Sequence, residues 1–345
     1  MKSIKPVFYV VLVVVALTVM IPAMLVLPFS KSESEGKITD ETKQAKQQQQ
    51  TLDISQLDQS VVEVAVLRSA DNKVSKLPLE KYIVGVVAAE MPAEFELEAL
   101  KAQALTARTY IVNHMMNGSS NKALKGADVT DTVDDQVYKS DDELKAQWGA
   151  DYNWKYKKVA QAVLETEGQI ITYGGKPITA TFFSTSNGFT ENSEAIWPSP
   201  YPYLKSVESP WDKQSPKFYD RKVVSVEQFE KSLGVNIKDK NSIGSIIKRT
   251  PGKRVASVKI NGKVISGKDV REKLGLRSSD FSWERKGDSI IITTKGYGHG
   301  VGMSQYGANG MAKEGKNYEQ IVKHYYSGIQ IASSASFAKK IVAQR

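Results

Sequence analysis

Two neighbouring segments carry apolar residues at helical spacing. In Leu79–Glu90 the apolar side chains recur three and four positions apart, and Pro92 ends the pattern because the residue before a proline avoids helical backbone. The next segment, 96–116, has a longer apolar stripe and stops at Asn117-Gly118. The patterns therefore predict two consecutive helices, 79–90 and 96–116.

Elsewhere, strand patterns alternate irregularly with helical ones. Gly174-Gly175 and Asn261-Gly262 each separate two β-rich runs and predict hairpin turns. Because no strand–helix–strand unit repeats, the order of elements predicts an α+β fold with mixed helices and strands rather than a doubly wound parallel sheet. The other predicted elements are strands at 61–67, 169–173, 176–184, 254–260, 263–266, 281–285 and 289–294, and helices at 154–167 and 318–325.

The first 60 residues do not have the pattern of a folded domain. Residues 6–28 are uncharged and long enough to span a bilayer, and two lysines precede them, which favours a cytoplasmic amino terminus. A cleaved signal peptide is the alternative, but the exit LVLPFSKSE lacks the small residues of a cleavage site. We therefore expect a single-pass protein of the cell membrane, with an anchor at 1–28, a polar, Gln-rich linker at 29–60 and an extracytoplasmic domain at 61–335.

The formal net charge of +9 is concentrated in one part of the chain. From Asp212 to Asp280 there are 17 lysines and arginines against 8 aspartates and glutamates, so the remainder is neutral overall. Such a block predicts an anionic partner and suggests a small basic lobe inserted at 213–280. Outside the cytoplasm, this partner is expected to be a cell-wall polymer or lipid headgroups and not nucleic acid.

The composition excludes several kinds of chemistry. The 345 residues include no cysteine, which excludes a disulfide scaffold, a thiol nucleophile and any Cys-ligated metal. Only three histidines are present, and no H-E-x-x-H motif occurs. Ser184 lacks the G-x-S-x-G context of a serine hydrolase, and the glycine-rich stretch 297–310 lacks the lysine of a phosphate-binding loop.

Glu90 is the first candidate for acid–base chemistry. It lies three, four and seven residues after apolar positions of the predicted helix, and therefore on the apolar face. Burial and the negative end of the helix dipole would both raise its pKa, as a general acid requires. An ion-paired glutamate at a helix end is the alternative.

Three further groups of residues are candidates for binding. Lys101 and Arg108 share one helix face, on which they could bind an anion, hold Glu90 or simply face solvent. The segment 181–211 is rich in hydroxyl groups and aromatic rings, which sugar-binding sites use. The glycine-rich stretch would bring backbone N–H groups close to a ligand or a neighbouring strand and would present His299, Gln305 and Tyr306.

Three long segments together resemble the stage II sporulation protein D family of endospore-forming bacteria. They are EMPAEFELEALKAQALTARTYIV (90–112), TFFSTSNGFTENSEAIWPSPYPYLKSVESPWD (181–212) and GYGHGVGMSQYGANGMAKEGKNYEQIVKHYYSGI (296–329). The resemblance implies a lytic transglycosylase, a lyase that cleaves the bond between N-acetylmuramic acid and N-acetylglucosamine in peptidoglycan and leaves 1,6-anhydro ends. It also implies that Glu90, from the Glu-Met-Pro sequence, is the catalytic acid.

The resemblance implies a setting as well, and to the implied activity we add our own prediction of the binding residues. The substrate would be glycan strands stripped of peptides by an amidase partner, stage II sporulation protein P, and stage II sporulation protein M would recruit both proteins. The place of action would be the sporulation septum and the engulfing membrane. The substrate-binding residues that we predict are Lys101, Gln103, Arg108, Ser184, Tyr201, Tyr203, His299 and Gln305.

One departure from relatives concerns metal, and two other functions stay open. The resemblance implies that some relatives use Cys and His as zinc ligands in the segment that here reads ADVTDTVDDQVY (127–138). This segment has Asp131 and Asp135 and no Cys or His, so we predict no metal and no other cofactor. A non-catalytic wall-binding scaffold, or an activator of an amidase, would need only the aromatic residues, the basic block and the anchor. A zinc amidase is disfavoured by the shortage of histidines.

Overall fold

The computed structural model describes residues 52–117, 124–198, 200–239 and 242–344. The predicted anchor at 1–28 and the linker as far as residue 51 lie outside these ranges. Within the described ranges, no helix is both long and apolar enough to cross a membrane. The predicted localisation as a single-pass membrane protein is therefore not supported by the part of the chain that the structure describes.

A long central helix, α2, organises the larger part of the fold. Four alanines on α2, at 99, 102, 104 and 107, have no exposed surface, and their small side chains let neighbouring elements approach closely. The helices are α1 (Leu79–Glu90), α2 (Leu97–Asn117), α3 (Asp141–Trp148), α4 (Tyr152–Leu164), α5 (Val226–Leu233), α6 (Gly267–Lys273), α7 (Gln305–Lys313), α8 (Tyr318–Tyr325) and α9 (Ala335–Gln344). Helix α2 packs against α1, α4, α7, α8 and α9.

The strands form small sheets around these helices. They are β1 (Glu63–Leu67), β2 (Val74–Pro78), β3 (Val129–Thr130), β4 (Gln169–Tyr173), β5 (Lys176–Pro177), β6 (Phe182–Phe183), β7 (Tyr219–Ser225), β8 (Ser245–Arg249), β9 (Val255–Ile260), β10 (Lys263–Ser266), β11 (Phe281–Lys286), β12 (Ser289–Lys295), β13 (Met303–Ser304) and β14 (Gln330–Ser333). Their orders are β2-β1-β3, β14-β4-β5, β11-β12-β7, β10-β9-β8 and β13-β6. The β1–β3 and β6–β13 pairs are parallel and the other pairs are antiparallel.

Residues between β7 and β12 have a hydrophobic core of their own. It runs from Val224 to Ile292 in sequence and includes the wholly buried Phe229, Val258 and Val270. Strands β11 and β12, which lie after residue 280, contribute to this core. The residues of the predicted basic lobe, 213–280, therefore pack together with the hairpin that follows them. The lobe and the other predicted domain boundaries remain predictions.

The mixed helix-and-strand character predicted from the sequence is confirmed. Helix α1 has the predicted bounds, and α2 differs from its prediction by one residue at each end. The turns at Gly174-Gly175 and Asn261-Gly262 join β4 to β5 and β9 to β10. Helix α7 was not predicted, because its glycine-rich sequence has a low intrinsic helix propensity. Tertiary packing against α2 compensates for that low propensity.

Candidate functional site

A cavity of about 490 Å³ opens beside the carboxyl end of α1. Glu90 lines it, together with residues from five other parts of the chain. These are Tyr110 of α2, Val133, Asp135, Gln136 and Val137 from the segment before α3, Ala180, Thr181, Phe182, Phe183 and Ser184 around β6, Lys217 and Arg271 from the basic block, and Tyr297, Gly298, His299 and Gln305 from the glycine-rich stretch.

Glu90 is the last residue of α1 and is half-buried. One of its carboxylate oxygens accepts a hydrogen bond of 3.0 Å from the backbone N–H of Val137. The side chain of Gln305, at the first position of α7, lies next to the same carboxylate. Glu90 thus contacts a neighbouring loop and a neighbouring helix, and it forms no ion pair with any residue that the structure describes.

Opposing effects set the pKa of Glu90. Burial is the largest and raises the pKa, because the charged form loses hydration. The hydrogen bond from Val137 and the nearby amide of Gln305 stabilise the carboxylate and lower the pKa, but burial outweighs them. The net result is a carboxyl group that keeps its proton to a higher pH than an ordinary glutamate, as a general acid requires.

The loop that contacts Glu90 is fixed on the surface of α1. The ring of Tyr138 stacks on Tyr82 with 5.6 Å between centroids, and the backbone N–H of Lys139 donates to the carbonyl of Gly85. A Cβ at position 85 would overlap the Tyr138 ring. A glycine inside α1, which lowers helix propensity, is therefore required for the loop to reach Glu90.

The glycine-rich stretch approaches β6 closely, as its composition predicts. Strand β13 pairs with β6, and Gly298, Gly300 and Gly302 all adopt left-handed backbone angles. A Cβ on Gly298 would lie 2.8 Å from the Cβ of Phe183. The glycines allow one strand-like segment to lie directly on another and bring His299 and Gln305 to the cavity.

His299 is an uncharged member of the site. Burial, followed by the positive charges of Arg271 and Arg254, lowers its pKa to about 4. Its Nδ1 accepts a hydrogen bond from the backbone N–H of Val301, which places the ring proton of the neutral form on Nε2. At neutral pH His299 shapes the cavity wall and carries no charge.

Arg108 does not reach the cavity. It is wholly buried, with a 2.6 Å ion pair to Glu80 of α1, and its guanidinium also donates to the carbonyls of Val163 and Thr166. These partners occupy the guanidinium fully. The predicted contact between Arg108 and substrate is therefore corrected: this arginine joins α1, α2 and the end of α4.

Four other predicted binding residues also lie away from this cavity. Lys101 pairs with Glu98 and Glu165, and Gln103 is fully buried on α2. The hydroxyl of Tyr203 accepts a hydrogen bond from the backbone of Thr179, and Tyr201 packs on the Tyr203 ring. Of the predicted set, the structure brings Ser184, His299 and Gln305 to the cavity beside Glu90.

Three lining residues, Tyr110, Lys217 and Arg271, were not predicted as part of the site. Tyr110 lies twenty residues after Glu90 and donates to Asp135 over 3.4 Å. Lys217 and Arg271 belong to the basic block, whose charge predicted an anionic partner without indicating which cations would meet it. The sequence alone does not indicate that Lys217 and Arg271 lie near Glu90, because both are distant from it along the chain.

Comparison with known proteins identifies the family. Residues 68–173 match the sequence model of a family described as stage II sporulation protein. Stage II sporulation protein D of Bacillus subtilis (strain 168) is 51% identical over 339 residues, which cover 96% of this chain and 97% of that protein. The chain belongs to the stage II sporulation protein D family. The protein of the same name from Bacillus amyloliquefaciens is 49% identical over 348 residues, 99% of this chain and 100% of its own length.

A more distant relative of this sporulation protein carries a different name. The amidase enhancer of Bacillus subtilis (strain 168) is 29% identical over 306 residues, covering 72% of this chain and 40% of that protein. The resemblance predicted from the sequence is thereby confirmed at the level of the family. Its chemistry and partners are taken up below as proposals.

The segment 127–138, for which we predicted no zinc site, contains hydrogen-bonded carboxylates. Asp131 accepts from the backbone of Ser69 and lies 3.4 Å from Arg68, and Asp135 accepts from both the backbone N–H and the hydroxyl of Thr130. Among the described residues, no group of three or more acidic, His or Cys side chains is arranged to hold a metal ion. The carboxylates of this segment are engaged by other protein groups and do not form a set of zinc ligands. That the protein binds no metal stays a prediction.

Proposed function

We propose that this member of the stage II sporulation protein D family is a lytic transglycosylase of peptidoglycan. The observation that carries the proposal is the position of Glu90. Its carboxyl group has a raised pKa, lines an open cavity and has no ion-pair partner among the described residues. A carboxylic acid in this state can protonate a leaving oxygen.

The proposed reaction uses the same carboxyl group twice. Glu90 donates its proton to the glycosidic oxygen as the bond from the muramyl C1 to that oxygen breaks. The resulting carboxylate then takes the proton of the muramyl 6-hydroxyl while that oxygen bonds to C1. The products are a 1,6-anhydro muramyl end and a free hydroxyl on the glucosamine, no water is consumed, and Glu90 is protonated again.

This route needs only one carboxyl group. A hydrolytic glycosidase uses an acid together with a second carboxylate as base or nucleophile. The second carboxylate at this cavity, Asp135, is engaged by Thr130 and Tyr110. Intramolecular attack by the substrate replaces the missing nucleophile, which supports a transglycosylase over a hydrolase.

The proposed partners follow from the family. We propose that the substrate strands have lost their stem peptides to an amidase, stage II sporulation protein P, and that stage II sporulation protein M brings the proteins together. The relative named amidase enhancer supports a link to an amidase. Predicted contacts of Ser184, His299 and Gln305 with the sugar belong to the same proposal.

The test compares the products of wild-type protein and Glu90→Gln. Purified full-length chain is incubated with peptide-stripped glycan strands, and the ends are identified by mass spectrometry. Wild type should give anhydro ends, and Glu90→Gln should be slower by about 10² to 10⁴, the usual contribution of general acid–base catalysis. Glu94→Gln is the matched control, since Glu94 is exposed and forms an ion pair with Lys155.

Other outcomes would contradict the proposal in different ways. Reducing ends, one water heavier, would indicate a hydrolase and require a second carboxylate. Unchanged cleavage by Glu90→Gln would remove Glu90 from the chemistry. Binding of strands by wild type without any cleavage would indicate the non-catalytic scaffold or amidase activator.

A further inference from the structure

The charges that line the Glu90 cavity are not balanced. Asp135 has its oxygens engaged by Thr130 and Tyr110, and burial favours the neutral form of Glu90. Lys217 and Arg271 line the same cavity, and neither has a carboxylate within ion-pair distance among the described residues. Two cations against the one hydrogen-bonded carboxylate of Asp135 leave an excess of positive charge at the cavity wall, which favours an anionic ligand.

Lys217 is held at the cavity by aromatic rings. Its ammonium lies 5.7 Å from the centroids of both Tyr297 and Tyr306, and its backbone N–H donates to the hydroxyl of Ser215. Lys217 is half-buried. Cation–π contacts leave the three N–H donors of the ammonium available to a ligand, because the ring attracts the cation electrostatically and does not need a directed hydrogen bond.

Arg271 is oriented by one hydrogen bond. Its Nε donates to the carbonyl of Leu276 over 3.3 Å, which leaves the two terminal nitrogens for other partners. Its charge lowers the pKa of His299, so the guanidinium lies close to the cavity wall that His299 forms. A planar guanidinium with two free terminal nitrogens matches the geometry of a carboxylate.

We propose that Lys217 and Arg271 form a carboxylate-binding pair that takes the lactyl carboxylate of the muramyl residue. This inference rests on the proposed function, because it places the muramyl ring beside Glu90. The lactyl group is attached to the same sugar whose C1 reacts. Its carboxyl group is a charged carboxylate only when no peptide is attached, since the stem peptide converts it to an uncharged amide. The pair would therefore distinguish stripped strands from intact ones by charge.

The experiment varies the charge on both sides of this contact. Binding is measured with protein carrying Glu90→Gln, so that cleavage does not interfere, on stripped strands and on the same strands with their lactyl carboxyl groups converted to methylamides. Amidation should weaken binding by about ten- to a hundredfold, the range expected for a hydrogen bond to a charged group. Adding Lys217→Gln and Arg271→Gln together should remove that difference, whereas Lys217→Arg should keep most of it.

A matched control separates this contact from general attraction between a basic protein and an acidic polymer. Lys213→Gln removes an exposed lysine close in sequence to Lys217 and should leave the discrimination unchanged. The inference is wrong if protein that retains Lys217 and Arg271 binds stripped and amidated strands equally. It is also wrong if the double variant weakens binding to both kinds of strand by the same factor. Because binding is measured without turnover, loss of discrimination is distinguishable from a failure of the transglycosylase proposal, which the product analysis decides.

Discussion

At Glu90, burial and hydrogen bonding act in opposite directions on one proton. Burial favours the neutral acid, whereas the Val137 N–H and the Gln305 side chain favour the carboxylate. A site that must both donate and accept the same proton needs this compromise. A carboxyl group with a low pKa would already be ionised at neutral pH and have no proton to donate, whereas one with a very high pKa would give up its proton poorly.

The raised pKa of Glu90 has a consequence for stability. Because the native pKa lies above the ordinary value of 4.5, ionisation is easier in the unfolded chain, and this group's contribution to stability is lost as the pH rises through the native pKa. We expect the free energy of unfolding of wild type, relative to Glu90→Gln, to fall as pH increases above about 4.5. Urea unfolding of both proteins at several pH values measures it. A difference that rises with pH would contradict the assigned direction.

Part of this site follows from periodicity and part does not. The spacing of apolar residues places Glu90 on the buried face of α1, and that prediction needed no knowledge of other elements. The same reasoning put Lys101 and Arg108 on one face of α2 but could not name their partners. Glu80 lies 28 residues before Arg108, on another helix, so only the packing of α1 on α2 reveals that their charges meet.

At the scale of elements, one buried ion pair joins the two helices nearest the site. Arg108 of α2 and Glu80 of α1 are both almost wholly inaccessible to solvent, and the arginine also satisfies carbonyls at the end of α4. Helix α1 ends at Glu90, so the pair also sets the position of the proposed acid. Helix α7 could not be predicted from the sequence pattern for a similar reason. Its glycines lower its helix propensity, and it is stabilised by packing against α2.

Removing one partner of this pair should be costly. Arg108→Gln leaves Glu80 buried without its counterion, and we expect a loss of about 3–5 kcal/mol in the free energy of unfolding. The comparison is Lys323→Gln, which breaks an exposed pair with Glu319 four residues away and should cost about 0.3–0.5 kcal/mol. Chemical denaturation gives both values. If Arg108→Gln lowered the free energy of unfolding only slightly and weakened substrate binding, the predicted role of Arg108 in substrate binding would be correct.

At the scale of the whole described fold, the basic residues between β7 and β12 are joined to the glycine-rich stretch through a buried arginine. The guanidinium of Arg254 donates to the carbonyl of Phe189 and lies directly against Gly300. Glu191 accepts hydrogen bonds from Thr250 and from the backbone of Gly252. The two contacts fix the segment that carries Arg271 against the segment that carries His299.

Substitution of Gly300 tests this junction. Gly300 has a φ of 89°, and a Cβ there would overlap the Arg254 guanidinium, whereas Gly287 has a φ of 59° with nothing within 4 Å of its position. Gly287→Ala should cost about 1–2 kcal/mol from backbone strain alone. Gly300→Ala should cost about 1–3 kcal/mol more, because a close-packed neighbour must move, and should also reduce activity. Equal losses in thermal unfolding would show that the junction tolerates the added atom.

The ends of the β7–β12 segment lie side by side, since Tyr219 and Lys295 are register partners in one antiparallel pair. A segment whose two ends already meet can change in length or sequence without displacing what flanks it. Glu90 lies outside this segment and Arg271 lies inside it. The residue proposed to break the bond and one residue proposed to choose the strand therefore lie on separate segments, and a change of length between β7 and β12 would leave Glu90 in place.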